Sequence, residues 1–333
     1  MTREPFSGSE ETPAFPAPPP QGLGSRVFLG PHGLRSGWSL LLYGAFFLMI
    51  EYALEILVVV VRGFGGELRP PETLALQELI SFLSAYVAAL LMARLEGRPA
   101  DVYGLPLRHA FGNSFWLGMV LGLGEVSMLV GLIAVFGGYS FGMLAIHGSA
   151  LWGWGVFWAV AFVLVGLSEE FFFRGYTQSA LARGVGFWPA AVCLSLIFGA
   201  AHLRNAGERI VGAVNVAATG LLFAFALRRT GDLWLAVGWH ASFDFGETFL
   251  FSVPNSGFLF DHHLSNAVLA GKPWLTGGSV GPEGSVFSFV TLGISALLLH
   301  FIFPAKKGVV GNIPSKHADS VDEFRSEGQP HSF

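Results

Sequence analysis

Eight apolar runs, separated by short polar or glycine- and proline-rich stretches, fill the chain between residues 38 and 303. Runs of that length cannot all be hidden in a water-soluble core. A bilayer core about 30 Å thick takes roughly 20 apolar residues per helix, and the runs at 38–61, 74–93, 111–136, 151–183, 188–202, 210–227, 233–251 and 286–303 approach or exceed that length. Composition agrees: 52% of residues are hydrophobic and only 13% charged, against roughly 25% charged in an ordinary soluble domain. The chain therefore reads as an all-α polytopic membrane bundle of about eight transmembrane helices, an integral membrane protein of a bacterial-type plasma membrane. The net charge of -4 carries no clustered Lys/Arg stripe, so nucleic acid is not an expected partner. Cys193 stands alone, which excludes an internal disulfide and a Cys-based zinc cluster.

Residues 1–35, with Pro16, Pro18, Pro19 and Pro20, read as a flexible tail because proline fixes φ and removes amide donors. No targeting peptide is read there. Residues 36–304 form the bundle, with a peptidase core at about 151–251, and 305–333 is a polar C-terminal tail. The segment 254–284 is too polar to cross lipid as open backbone and is expected outside the bilayer or folded over a helix mouth. Lys and Arg are retained on the cytoplasmic side. With eight spans, fourteen of them fall on the side of the two termini and five on the other. Both termini are therefore expected in the cytoplasm.

Ionisable side chains at bilayer depth are costly unless paired or wetted, so each marks a candidate function. The densest set lies on the fourth, fifth and seventh runs. Glu170 and Arg174 are four apart, the spacing of a helical ion pair, which leaves Glu169, about 100° away on the helix, free to look into the bundle. Glu169 lies 14 residues before Arg183, and His202 lies 14 after Trp188. In an antiparallel hairpin turning at Gly184–Gly186 they reach the same depth. Phe198 and His202 share one face of the fifth run, and His240 and Asp244 one face of the seventh.

Two chemistries suit that convergence. Glu169 and His202 can hold and deprotonate a water while His240 and Asp244 stabilise the oxyanion. Alternatively, Glu169, His202 and His240 can bind zinc and acidify its water. Ser168 and Ser242 neighbour the site, but neither has a helically spaced histidine on its own segment.

Three motifs occur in order: E-E-x-x-x-R at Glu169–Arg174, F-x-x-x-H at Phe198–His202 and H-x-x-x-D at His240–Asp244. Over roughly residues 151–251 this resembles the CAAX protease and bacteriocin-processing family, the Abi-like membrane endopeptidases that include type II CAAX prenyl proteases. The resemblance implies an eight-helix bundle with an intramembrane site open to the cytosol and endoproteolysis near the cytoplasmic membrane face. It also implies a glutamate-dependent mechanism rather than a metal-dependent one, so no cofactor is favoured and zinc is the alternative. Glu169 and His202 would activate water and His240 with Asp244 would stabilise the oxyanion, supported by Glu170, Arg174 and Phe198. The partner is a peptide or protein substrate at the lipid bilayer, with or without a lipid group. Asp244 stands where prenyl-protease members commonly carry Asn, which shifts the expectation toward the wider bacterial group.

Other readings of the same residues are an ion- or proton-coupled transporter and a non-catalytic membrane scaffold. A transporter should show inverted repeats, and no such symmetry is seen. Glu51, Glu55, Glu125 and Glu247 are expected to pair with Arg or line the same wet cavity, Phe171–Phe173 to face lipid or neighbouring helices, and His262 and His263 to be solvated. Cys193 reads as a small core residue, and Gly118, Gly122 and Gly124 as close-packing positions.

Overall fold

Apolar composition sets the long helices, and local chemistry sets their ends. The computed structural model describes residues 27–30, 33–63 and 68–304; most of both expected tails lies outside the described residues. Among the described residues, nine helices of nine residues or more carry the architecture: α1 Ser36–Arg62, α2 Pro70–Glu96, α3 Asn113–Val135, α4 Ser149–Glu170, α5 Thr177–Val185, α6 Phe187–His202, α7 Ile210–Thr230, α8 Trp234–Phe245 and α9 Val286–Ile302. Pro70 starts α2 where no amide donor is needed, with Arg69 and Glu72 closing a capping box. Gly97 ends α2 in the left-handed conformation at φ 64°, and Gly231 ends α7 at φ 88°. Strand is confined, among the described residues, to two-residue pairs, one of which joins Tyr139–Ser140 to Val268–Leu269.

Five helical stretches are long and apolar enough to cross a membrane: α1, α2, α3, α7 and the continuous Ser149–Val185 that joins α4 to α5. Shorter apolar helices, α6 and α9, occupy the fifth and eighth runs. The chain is a helical membrane bundle, with five helices of spanning length among the described residues. The fourth run continues through the acidic pair as expected, but not as a straight rod. A π-helical turn, Phe171–Tyr176, follows Glu170, and Gly175 inside it leaves helical geometry (φ -79°, ψ -114°). A second π turn, Gly246–Leu250, follows α8. Such turns add a residue to the helical repeat and recur at functional sites.

Successive helices run up and down between two ends. At one end, near the start of α1, Ser39 bonds Glu96 at the end of α2 and accepts from Arg183 of α5, the Leu233 amide donates to Gly104 O, and Arg229 of α7 meets His300 of α9. At the other end, Asn205 after α6 donates to Ser256 O, Asn215 of α7 donates to Ser288 of α9, and Ser279 donates to Gly207 O.

The closest helix contact is α3 on α8. A Cβ at Gly118 would lie 2.1 Å from Leu235 O, one at Gly122 2.2 Å from Trp239 O, and one at Gly238 2.1 Å from Phe115 O. Three backbone approaches that tight admit glycine only, as small-residue packing between membrane helices requires. Gly124 differs from expectation: nothing lies within 4 Å of its Cβ position, because it is half a turn away from the contact stripe. Cys193 also differs. It is exposed on α6 rather than buried, since the inward positions there are Ala190, Ala191, Leu194 and Phe198. Gly122→Leu should destabilise the protein by about 1–3 kcal/mol or more, read as a lowered thermal midpoint in detergent, while Gly124→Ala leaves the midpoint in place.

Candidate functional site

Glu170 is fully buried, and its Oε1 is the acceptor around which the site is assembled. Arg174 Nη1 donates to it at 3.2 Å from one turn along, and His240 Nδ1 donates at 3.0 Å from α8. The expected helical pair Glu170–Arg174 is thus present, extended by a histidine from another helix. Arg174 is itself buried, with its guanidinium 4.3 Å from the Phe198 ring centroid. Gly220 of α7 leaves space for it, because a Cβ there would sit 2.4 Å from Nη2. Phe198 therefore packs on the cation while shaping the cavity wall.

Glu169 points elsewhere, as the helical offset requires. Its side chain keeps 25% exposure where that of Glu170 keeps none, and it lines a cavity of about 260 Å³ together with His202, His240 and Asp244. His240 Nε2 lies 3.7 Å from Glu169 Oε2 and 3.5 Å from Asp244 Oδ2. A carboxylate shared with Arg174 accepts, so His240 Nδ1 carries a proton and Nε2 is the atom presented to the two acids. His202 Nδ1 lies 2.9 Å from Phe198 O. A carbonyl cannot donate, so Nδ1–H is the donor and the neutral ring's lone pair sits on Nε2. The matched depth of Glu169 and His202 places both on the same cavity, on different helices.

Several polar groups at this cavity escaped the sequence reading. Glu78 of α2 lines it and also lines, with Glu169, a second space of about 180 Å³ bounded by Ser81, Ser168, Phe172 and Phe173. Ser168 and Glu78 face each other across that second space. The signal was available: Glu78 is an acid inside the second apolar run. Asn205, Asn255 and Ser256 complete the wall. Asn255 lines the cavity with Asp244 and donates to Thr248 Oγ1 at 3.3 Å, and Glu283 accepts from the Ser256 amide at 2.9 Å. These come from the polar connections, so the 254–284 segment does fold over a helix mouth. Glu208, in the connection before α7, has its carboxyl pushed above the usual range by burial.

The remaining acids divide. Trp239 Nε1 donates to Glu125 at 2.8 Å, in a narrow space of about 50 Å³ behind His240 and Asp244. Glu247 is buried in the second π turn against Glu283, and Glu51 meets Ser81 and Ser84 of α2. Among the described residues, none of these three acids has an arginine ion pair shown; Glu55 is exposed on α1. Phe171 and Phe172 pack against neighbouring helices, on Tyr86 and Phe47. Ser242 donates to Trp239 O and faces α3. His262 is not simply solvated: its ring stacks on Trp154 at 3.8 Å and 8°, and His263 Nδ1 meets Ser265 O. Among the described residues, no group of three or more His, Cys, Asp or Glu is disposed to hold a metal ion.

Residues 151–246 match the family model described as type II CAAX prenyl endopeptidase Rce1-like. In this segment the chain resembles those endopeptidases. The match spans α4 to the start of the second π turn and includes all three motifs. The Rce1-like model points to a membrane protease of CAAX type acting on peptides at the bilayer. No curated protein and no solved structure matches the chain.

The cavity sits at the bundle end formed by the start of α2, the ends of α6 and α8, and the 254–284 segment, remote from Ser36 at the start of α1. Arg174→Met leaves the Glu170 carboxylate buried without its cation and should cost about 3–5 kcal/mol; adding Glu170→Gln should recover part of that loss, measured as a double-mutant cycle of thermal stability.

Proposed function

We propose that the protein is an intramembrane endopeptidase whose core, about residues 151–251, hydrolyses a peptide bond with a water activated by Glu169 and His202. The observation that supports this best is the single cavity shared by Glu169, His202, His240 and Asp244. Glu169 accepts a proton from the water as its oxygen attacks the carbonyl carbon, and His202 Nε2 holds the second water proton. His240 Nε2, protonated between its acids, donates to the developing oxyanion, with Asp244 orienting the ring from four residues along. Collapse of the tetrahedral species breaks the C–N bond, and Glu169 returns its proton to the leaving nitrogen. Glu170 and Arg174 act through His240 and the helix packing rather than on substrate.

The role of Asp244 here is one that an uncharged amide can fill. Cleavage of a peptide library by the purified protein in detergent should fall by about 10²–10⁴ in Glu169→Ala and in His202→Ala. Asp244→Asn should retain measurable activity. Retained cleavage in both alanine variants sinks the site assignment. Loss of wild-type activity on chelation, with rescue by zinc, would replace the water-activation step with a metal-dependent one.

A further inference from the structure

Glu78 has no part in the chemistry assigned to Glu169, His202, His240 and Asp244, and it lies outside residues 151–246, the stretch matched by the family model. Yet it borders two spaces. With Glu169 and Phe173 it lines both the cavity of about 260 Å³ and the neighbouring space of about 180 Å³, so the two meet at these three residues. The smaller space is a side pocket of the candidate site. Its other walls are Ser81 of α2, Ser168 of α4, and the rings of Phe47 and Phe172; Phe172 and Phe173 belong to the π turn that follows Glu170. Its volume is several times what one water requires, which leaves room for a long unbranched side chain.

The charge of this pocket has one sign. Glu78 and Glu169 wall it, Glu51 of α1 meets Ser81, and Glu169 Oε2 and Glu51 Oε2 are buried with no hydrogen-bond partner among the described residues. Among the described residues, no Lys or Arg lines either space, and Arg174 is engaged by Glu170. Acids at bilayer depth are costly unless paired or wetted, and a cation carried by the substrate is a partner for them. The hydroxyl oxygens of Ser81 and Ser168 can accept from an ammonium or guanidinium, while the phenylalanine rings suit the apolar stem of a long basic side chain and, face on, its charge. We propose that the side pocket selects a basic residue of the substrate, Lys or Arg, close to the bond that is cut, with Glu78 as the specificity-determining residue. This rests on the peptidase reading above, because Glu169 both activates the water and borders the pocket. The same charge turns an acidic side chain away, so discrimination comes from repulsion as well as attraction.

Sequencing the products that the purified protein releases from an unbiased peptide library in detergent tests the proposal. Lys or Arg should be enriched at one fixed position relative to the cut. For a matched pair of peptides with Lys or Met at that position, the wild type should favour Lys in kcat/KM by about tenfold or more, the worth of a charge-assisted hydrogen bond. Glu78→Gln should lose this preference, and Glu78→Lys should transfer it to a Glu peptide; the readout is the ratio within each variant, so a general fall in activity cancels. Acetylating the substrate lysine removes its charge and should cost the wild type a similar factor, a measurement that needs no variant to fold. Absence of basic enrichment, equal cleavage of the acetylated peptide, or a Lys preference that Glu78→Gln leaves intact overturns the proposal while the peptidase reading stands. A wild-type protein that cuts no peptide overturns both.

Discussion

The Glu170 carboxylate is the interaction on which the rest of the site depends. A carboxylate buried without partners costs several kcal/mol, and here the cost is offset by two donors from different parts of the chain, Arg174 and His240. Each donor carries further structure. Arg174 lies on Phe198 of α6 and occupies space left by Gly220 of α7. His240 is thereby fixed with Nε2 toward Glu169 and Asp244. One buried acid thus ties α4, α6, α7 and α8 together and settles which nitrogen of His240 meets the cavity. The α3–α8 glycine contacts hold α8 from its other side, so His240 is located by packing as well as by charge.

Adjacent glutamates acquire different work from this arrangement. Helical geometry separates their directions by about 100°, and the π turn that begins at Phe171 changes the path of the helix immediately after them. Glu170 is sealed, whereas Glu169 remains accessible from the cavity. A group that exchanges protons with water must reach it, and a group that positions a histidine must not wander. The same division appears on α8, where His240 is held and Asp244 sits beside Asn255 at the start of the polar connection.

Much of this was legible in the sequence because membrane helices obey few rules. Apolar run length located the helices, four-residue spacing paired Glu170 with Arg174, and equal counts from the Gly184–Gly186 turn brought Glu169 level with His202. What stayed hidden depended on neighbours. That Glu170 also holds His240 requires knowing how α4 crosses α8. Gly118 and Gly122 were readable as packing positions, but Gly124 could be told from them only by the location of α8, and Cys193 only by which side of α6 meets lipid. Glu78 was overlooked although the depth criterion applied to it equally. Local motifs fix which residues converge, not which end of the bundle they converge toward.

Activation of water by Glu169, without covalent attachment of the substrate, is the central claim. A single turnover in H₂¹⁸O, with excess enzyme and mass analysis of both product and protein, tests it most directly. The account predicts one ¹⁸O atom in the new C-terminal carboxyl of the peptide and none in Glu169. Label in the Glu169 carboxyl with an unlabelled product would show that this side chain attacks the substrate itself, and would contradict the account.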